Sequence, residues 1–353
     1  MNLMSQMKFS IQPELGTLSE RDSKRYFSIL GLSAVVLILA SNLSAILLQI
    51  GIELAAPWLL KYALVEQLLS AIPLYAVGFP CSYLVLRRLP KGFAPSEPWG
   101  AKNVAIGFCV TFALMMFGNY VGNFIILLLE SALGRSLTNP VESATVGQSW
   151  WINLIFVGIL APILEELFFR RAVCNRLLVL GEGYTIVLSA AFFGLAHGNL
   201  FQFFYAFLLG ALFALIYVKT GRIRYSIGYH ILVNVLGGVF AAWVVEKISP
   251  LLEEEAFDQM MTLMESADPT ELLKFIHPYL LPLSLLAVYN VFMMIVSIFG
   301  LVFILRERKK IRLQEGLLPP MREGRVANVF CNVGVAAALT IFLALFLLSL
   351  IAV

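Results

Sequence analysis

Charged residues are nearly absent from nine stretches of this chain, and that absence limits its fold more than any other feature. Of 353 residues only 13% are Asp, Glu, Lys or Arg, while 60% are hydrophobic. A soluble domain carries about 25% charged residues. The apolar residues are gathered into runs of the length that crosses a bilayer as a helix, about 20 residues. Inside hydrocarbon every backbone N–H and C=O must be satisfied within the protein, which leaves helices or a closed barrel. Long continuous apolar runs, rather than alternating ones, select helices. The expected fold is all-α: a polytopic transmembrane helix bundle of about 8–9 spans.

The runs fall at 29–50, 64–86 and 104–129, then from Trp150 to a far end marked by Arg170, Arg171 and Arg176. A fifth starts near Tyr184, and the others cover 201–217, 227–245, 280–305 and 328–350. Pro73 and Pro80 lie inside the second and predict a kink, tolerated because neighbouring helices satisfy the freed backbone groups. Asn119, Tyr120 and Asn123 recur at near-helical spacing on the third and predict a face turned into the bundle. His197-Gly198-Asn199 reads as a break. Between 246 and 278, acidic residues such as Glu253, Glu254, Glu255, Asp258 and Asp268 alternate with Leu252, Phe257, Met260, Met261 and Met264. That spacing predicts one or two amphipathic extramembrane helices. The chain therefore divides into a cytoplasmic N-terminal segment 1–28, transmembrane helices over 29–145, and a core at 146–248. An acidic insertion at 249–278 follows, then C-terminal transmembrane helices over 279–353 with a basic cytoplasmic loop.

With the N-terminus placed inside, all but four of the 25 Lys and Arg residues fall on the cytoplasmic side; the exceptions are Lys61, Arg135, Lys247 and Lys274. This is the positive-inside pattern. It predicts a multi-pass protein of a cell membrane, bacterial in type, with no signal peptide apparent in the first 28 residues. The expected partners are the lipid bilayer and a membrane-associated peptide or protein, with no nucleic acid; the oligomeric state is left open. Cys81, Cys109, Cys174 and Cys331 form no CxxC pair and read as small buried side chains.

Three short patterns place ionisable groups where they are costly, inside apolar helices, and such groups usually line a cavity or the bundle interior. The first is Glu165-Glu166-Leu167-Phe168-Phe169-Arg170, the second Phe193-Gly194-Leu195-Ala196-His197, the third His230-Ile231-Leu232-Val233-Asn234. Glu166 and Arg170 are four apart on one helix face and can neutralise each other. Glu165 is rotated about 100° away and is not committed to that pair. It is a candidate general base toward water, with His197 to share that water or relay its proton. His230 and Asn234, one turn apart, offer two donors toward one point, as an oxyanion requires. A base, a water and an oxyanion clamp make peptide-bond hydrolysis chemically feasible without a covalent intermediate.

Two other uses of these groups compete. Glu165, His197 and His230 match the donor types of a His2Glu zinc site, so the cofactor is none or a divalent metal such as zinc; the HExxH helix is absent. The bland alternative is structural: an ion pair that only locks helices, and histidines that are only packed and hydrogen-bonded. The third histidine, His277, sits beside Pro278 at the end of the acidic stretch and carries little weight for chemistry.

In their order, EELFFR, FGLAH and HILVN match EExxxR, FxxxH and HxxxN. They resemble the CAAX protease and bacteriocin-processing (CPBP, or ABI) family of intramembrane proteases, over about 145–248. The resemblance implies that Glu165 activates water with His197 and that His230 and Asn234 support the oxyanion or water. It also implies that Glu166 and Arg170 form an accompanying structural or substrate-orienting pair. The implied activity is that of an intramembrane endopeptidase, in a family described both as metal-dependent and as metal-free. Some members cleave prenylated CaaX proteins, and many bacterial ones are linked to bacteriocin maturation or self-immunity. The acidic insertion and the ninth run lie outside the resemblance. A non-enzymatic scaffold or self-immunity protein retaining the fold is the first alternative. A proton-coupled transporter is the second, although no internal repeat joins 27–130 with 185–305. A hydrolase needs water, so the cavity is expected to open to the cytoplasm and narrow toward His197.

Overall fold

The computed structural model describes residues 11–12, 17–265, 269–320 and 324–351; Pro13, Asp268 and Arg322 lie outside them. Among the described residues, eight helices are long and apolar enough to cross a membrane: α1 (Glu20–Ala55), α2 (Ala63–Leu86), α3 (Ala101–Leu133), α4 (Trp150–Leu177), α6 (Leu200–Thr220), α7 (Ile223–Leu251), α9 (Pro269–Lys310) and α10 (Val333–Leu350). A short apolar helix, α5 (Glu182–Ala196), and an amphipathic one, α8 (Glu254–Glu265), lie between these spans. The protein is thus an all-α, multi-pass membrane bundle.

The helix ends sort onto two faces. On one, the basic segments are knitted by backbone bonds: Gly92 N–H donates to Asn175 O at 2.6 Å, Glu97 N–H to Thr220 O at 3.0 Å, and Leu318 N–H to Val179 O at 2.9 Å. Lys219 pairs with Glu182 on the same face. On the opposite face Gln67 Nε2 donates to Ala144 O at 3.3 Å, and Arg135 donates to Leu350 O near the end of α10. Alternating crossings produce this sorting, with α5 and α6 as a hairpin whose turn is 197–199. Asn199 caps α6 by accepting from Gln202 N–H at 2.9 Å. Gly198 takes φ +68°, a conformation that disfavours side-chain-bearing residues, and so supplies the expected break.

α6 packs between α3 and α5, α3 also packs on α9, and α1 lies against α2 and α10. The inward face of α3 corrects one expectation. Tyr120 is 66% exposed and Asn123 is exposed as well. The interior carries Gly107, Thr111, Met115, Gly118 and Gly122 instead. Gly118 meets the backbone of Tyr205 so closely that a Cβ there would collide with it. Within a membrane, helix association is driven by close packing, so small residues rather than polar ones mark the contact.

Other boundaries shift too. The acidic stretch forms one amphipathic helix, α8, because residues from Pro269 onward join α9, with Pro278 and Pro282 inside it. His277 is exposed on α9. The last span begins at Val333, after a separate short helix Arg325–Phe330. Cys331, between them, is exposed, while Cys174 is buried. Four π-helical segments interrupt the spans: Ile72–Gly78 around Pro73, Leu154–Leu160, Leu167–Cys174 and Val235–Phe240. Such segments are frequent at functional sites.

Candidate active site

α4 carries two adjacent carboxylates into different surroundings. Glu166 and Arg170 are fully buried. Arg170 Nε donates to Glu166 Oε2 at 2.8 Å and Nη2 to Oε1 at 3.3 Å, the two-pronged contact that a planar guanidinium favours. Nη1 donates to Ser189 Oγ on α5 at 2.9 Å and to Gly210 O on α6 at 3.3 Å. One arginine therefore ties three helices together, with the ring of Phe193 packed 5.7 Å from its guanidinium.

His230, on α7, stands between the two glutamates. Its Nδ1 lies 3.3 Å from Glu166 Oε1, and its Nε2 lies 3.8 Å from Glu165 Oε2. The Nδ1 contact has ion-pair distance but not the angle of a hydrogen bond. Phe193 and Phe213, each with its ring centre 5.6 Å away, flank the imidazole and set its tilt. Glu165 is free of the buried pair. Its Oε1 accepts from Tyr75 Oη at 2.9 Å, from the π-helical stretch of α2.

His197 terminates α5, and its Nδ1 lies 2.9 Å from Phe193 O. A carbonyl only accepts, so Nδ1 carries the hydrogen and the neutral ring presents a lone pair at Nε2. Asn234 Nδ2 donates to Val157 O, in the π-helical stretch of α4, at 2.9 Å. One amide hydrogen is thereby committed to α4 and the second remains to be shared.

These groups meet. A cavity of about 200 Å³ is lined by Glu165, His197, His230 and Asn234. Glu166 and Arg170 lie behind His230, outside the lining. Tyr75, Gln67, Gln202 and Tyr205 also line the cavity, and the motif reading did not include them. Gln67 and Gln202 carry the same signal as the motifs, a polar side chain in an apolar run. Tyr75 carries none, because an isolated tyrosine is ordinary in a membrane helix.

The direction of the cavity differs from expectation. Its lining runs toward Gln67, whose side chain donates to Ala144 O in the short helix Pro140–Thr145, away from the basic face. The basic side is filled by Phe168, Phe169, Phe192 and Phe193 in edge-to-face contact, with Phe169 centred 4.9 Å from Phe193. α5 causes this. Its 15 residues rise about 22 Å, carrying His197 away from the basic face and leaving the space at the opposite end.

Among the described residues no three His, Cys, Asp or Glu side chains converge as a metal shell requires. Glu165, His197 and His230 share the cavity without forming the His2Glu zinc arrangement.

The fold and cavity describe a polytopic membrane protein with a polar site enclosed among its helices. Residues 147–236 match the family model described as type II CAAX prenyl endopeptidase Rce1-like, and the match spans all six motif residues. YdiL of Bacillus subtilis, a candidate membrane peptidase by its name, is 26% identical over 211 residues, covering 54% of this chain and 84% of YdiL. The membrane-embedded CAAX protease MroQ of Staphylococcus aureus is 28% identical over 155 residues, covering 41% of this chain and 62% of MroQ. No solved structure matches. Residues 147–236 of this chain are therefore similar to the CAAX-protease-like family.

Proposed function

We propose that the protein is an intramembrane endopeptidase that hydrolyses a peptide bond of a membrane-associated peptide or protein. The observation that carries this reading is the meeting of Glu165, His197, His230 and Asn234 on one cavity, from three different helices. Glu165 removes a proton from a water held between it and Nε2 of His197. The hydroxide adds to the scissile carbonyl, whose oxygen becomes the oxyanion. The second amide hydrogen of Asn234 and, when the ring carries both protons, Nε2–H of His230 donate to that oxygen. Glu166 beside Nδ1, with Phe193 and Phe213 flanking the ring, keeps the imidazole in its orientation through the cycle. The tetrahedral intermediate then collapses, the C–N bond breaks, and the proton taken by Glu165 passes to the leaving amine.

The names of MroQ and YdiL fit this chemistry. The charge bias favours an orientation with the basic face toward the cytoplasm of a bacterial cell. The test is a peptide-cleavage assay on protein purified in detergent. Glu165→Gln keeps the shape of the side chain and removes its basicity. The expected loss in turnover is about 10²–10⁴-fold, the usual contribution of a general base. Unchanged turnover in that variant would sink the reading and favour a scaffold.

A further inference from the structure

A second chamber adjoins the first. It has a volume of about 380 Å³ and lies between α1, α2, the end of α5 and α10. Leu37, Ile38, Leu69, Ala196 and Leu345 form its apolar wall. Ser70, Leu74 and His197 line both spaces, so the imidazole of His197 stands at their junction. The turn at Gly198 keeps that junction open. A Cβ built there would meet only Leu345 Cδ1, at 3.9 Å.

The polar groups on the wall are largely turned back on their own helix. Ser41 Oγ donates to Leu37 O at 2.7 Å and Asn42 Nδ2 to Ile38 O at 2.9 Å. What remains is mostly hydrocarbon surface, with the Asn42 amide oxygen, Ser70 and His197 as its polar groups. Three of the four walls, α1, α2 and α10, lie outside residues 147–236, so this chamber is not supplied by the family-matched segment alone.

Resting on the peptidase reading, we propose that this chamber is a specificity pocket that takes a large apolar side chain, of Leu, Met or Phe size, close to the scissile bond. An extended peptide advances about 3.3–3.6 Å per residue. With its carbonyl between Glu165 and His230, a chain that leaves past His197 brings the next one or two side chains into the second chamber. An acyl chain from the bilayer is the competing occupant. The peptide is favoured because the chamber continues from the reacting cavity, and because an amide oxygen on its wall suits a peptide N–H rather than a lipid tail.

The test profiles cleavage of a peptide library by the wild type, Ala45→Trp, which fills the chamber, and Leu345→Ala, which enlarges it. The wild type should cut peptides with Leu, Met or Phe at one position near the scissile bond about tenfold better than peptides with Ala there. Ala45→Trp should erase that preference while changing kcat/KM for small-residue peptides by less than about twofold. Leu345→Ala should move the preference toward Trp. A uniform loss across all peptides, or an unaltered preference in both variants, overturns the proposal. So does recovery of bound phospholipid from the wild type and not from Ala45→Trp with peptide preference intact. Absence of any Glu165-dependent cleavage would count against the peptidase reading alone. The chamber is then judged by photo-crosslinking with an apolar peptide carrying benzoylphenylalanine. Adducts at residues 41–45 or 345 support the pocket, and adducts confined to other helices overturn it.

Discussion

Arg170 distributes its donors across the interior, to Glu166 twice and to Ser189, Gly210 and the Cys174 sulfur. Removing it strands a buried carboxylate, and breaking a buried pair costs about 3–5 kcal/mol. Arg170→Ala is therefore expected to lower both folded yield and the thermal midpoint in detergent. Arg170→Lys, which keeps the charge but cannot make the two-pronged contact, should fall between. A wild-type midpoint for Arg170→Ala would show that the pair contributes nothing to the fold. Tyr75 allows a different test, because its bond reaches the carboxylate that faces the cavity. A hydrogen bond to a charged acceptor contributes about 1.5–3 kcal/mol. Tyr75→Phe should thus lower the thermal midpoint and, by loosening the position of Glu165, lower kcat with KM unchanged. If kcat holds, Tyr75 only packs.

At the scale of the helix, the wall of the cavity depends on how closely α3 and α6 approach. Gly118 permits that contact against Tyr205, and α6 in turn presents Gln202, Tyr205 and Leu209 to the cavity. Gly118→Leu forces the helices apart, an overpacking change that costs about 1–3 kcal/mol. It should lower the thermal midpoint and cleavage together. Gly51 is the control, because nothing lies within 4 Å of a Cβ built there. Gly51→Ala should leave both quantities at or slightly above wild type, since Ala is favoured over Gly in a helix. Equal destabilisation at the two sites would contradict the close approach. The π-helical segments belong to the same level. Tyr75 and Val157 both lie in such segments, and Val157 O accepts the Asn234 amide. A widened turn loosens the backbone ladder, and a polar side chain from a neighbouring helix re-satisfies it.

For the molecule as a whole, the cavity and the charge bias together set from which side water reaches the site. The phenylalanine cluster closes the basic side, and Gln67 with the short helix Pro140–Thr145 stands at the other end. In a background without native cysteines, Asn234→Cys should react with a small membrane-impermeant thiol reagent from the extracytoplasmic side. Arg171→Cys, exposed at the basic end, should react from the cytoplasmic side. Inside-out and right-side-out vesicles separate the two. Faster labelling of Asn234→Cys from the cytoplasmic side would overturn the direction of the cavity.

What was legible in the sequence follows from local rules. Run length marks the spans, and a spacing of four pairs Glu166 with Arg170, which the structure joins at 2.8 Å. His197-Gly198-Asn199 ends one helix and starts another. The three motifs mark the helices that wall the cavity. The tertiary structure alone decided how each helix turns about its own axis. Periodicity on α3 cannot say whether the glycine face or the Asn119 face goes inward, because that depends on which neighbour can approach. It also cannot place Tyr75 against Glu165, 90 residues away, or His230 between two carboxylates. The depth of His197 depends on where α5 starts, and the direction of the cavity on where phenylalanines from α4 and α5 interlock. These are relations between helices, and a pattern read along one helix holds no information about its rotation or height relative to another.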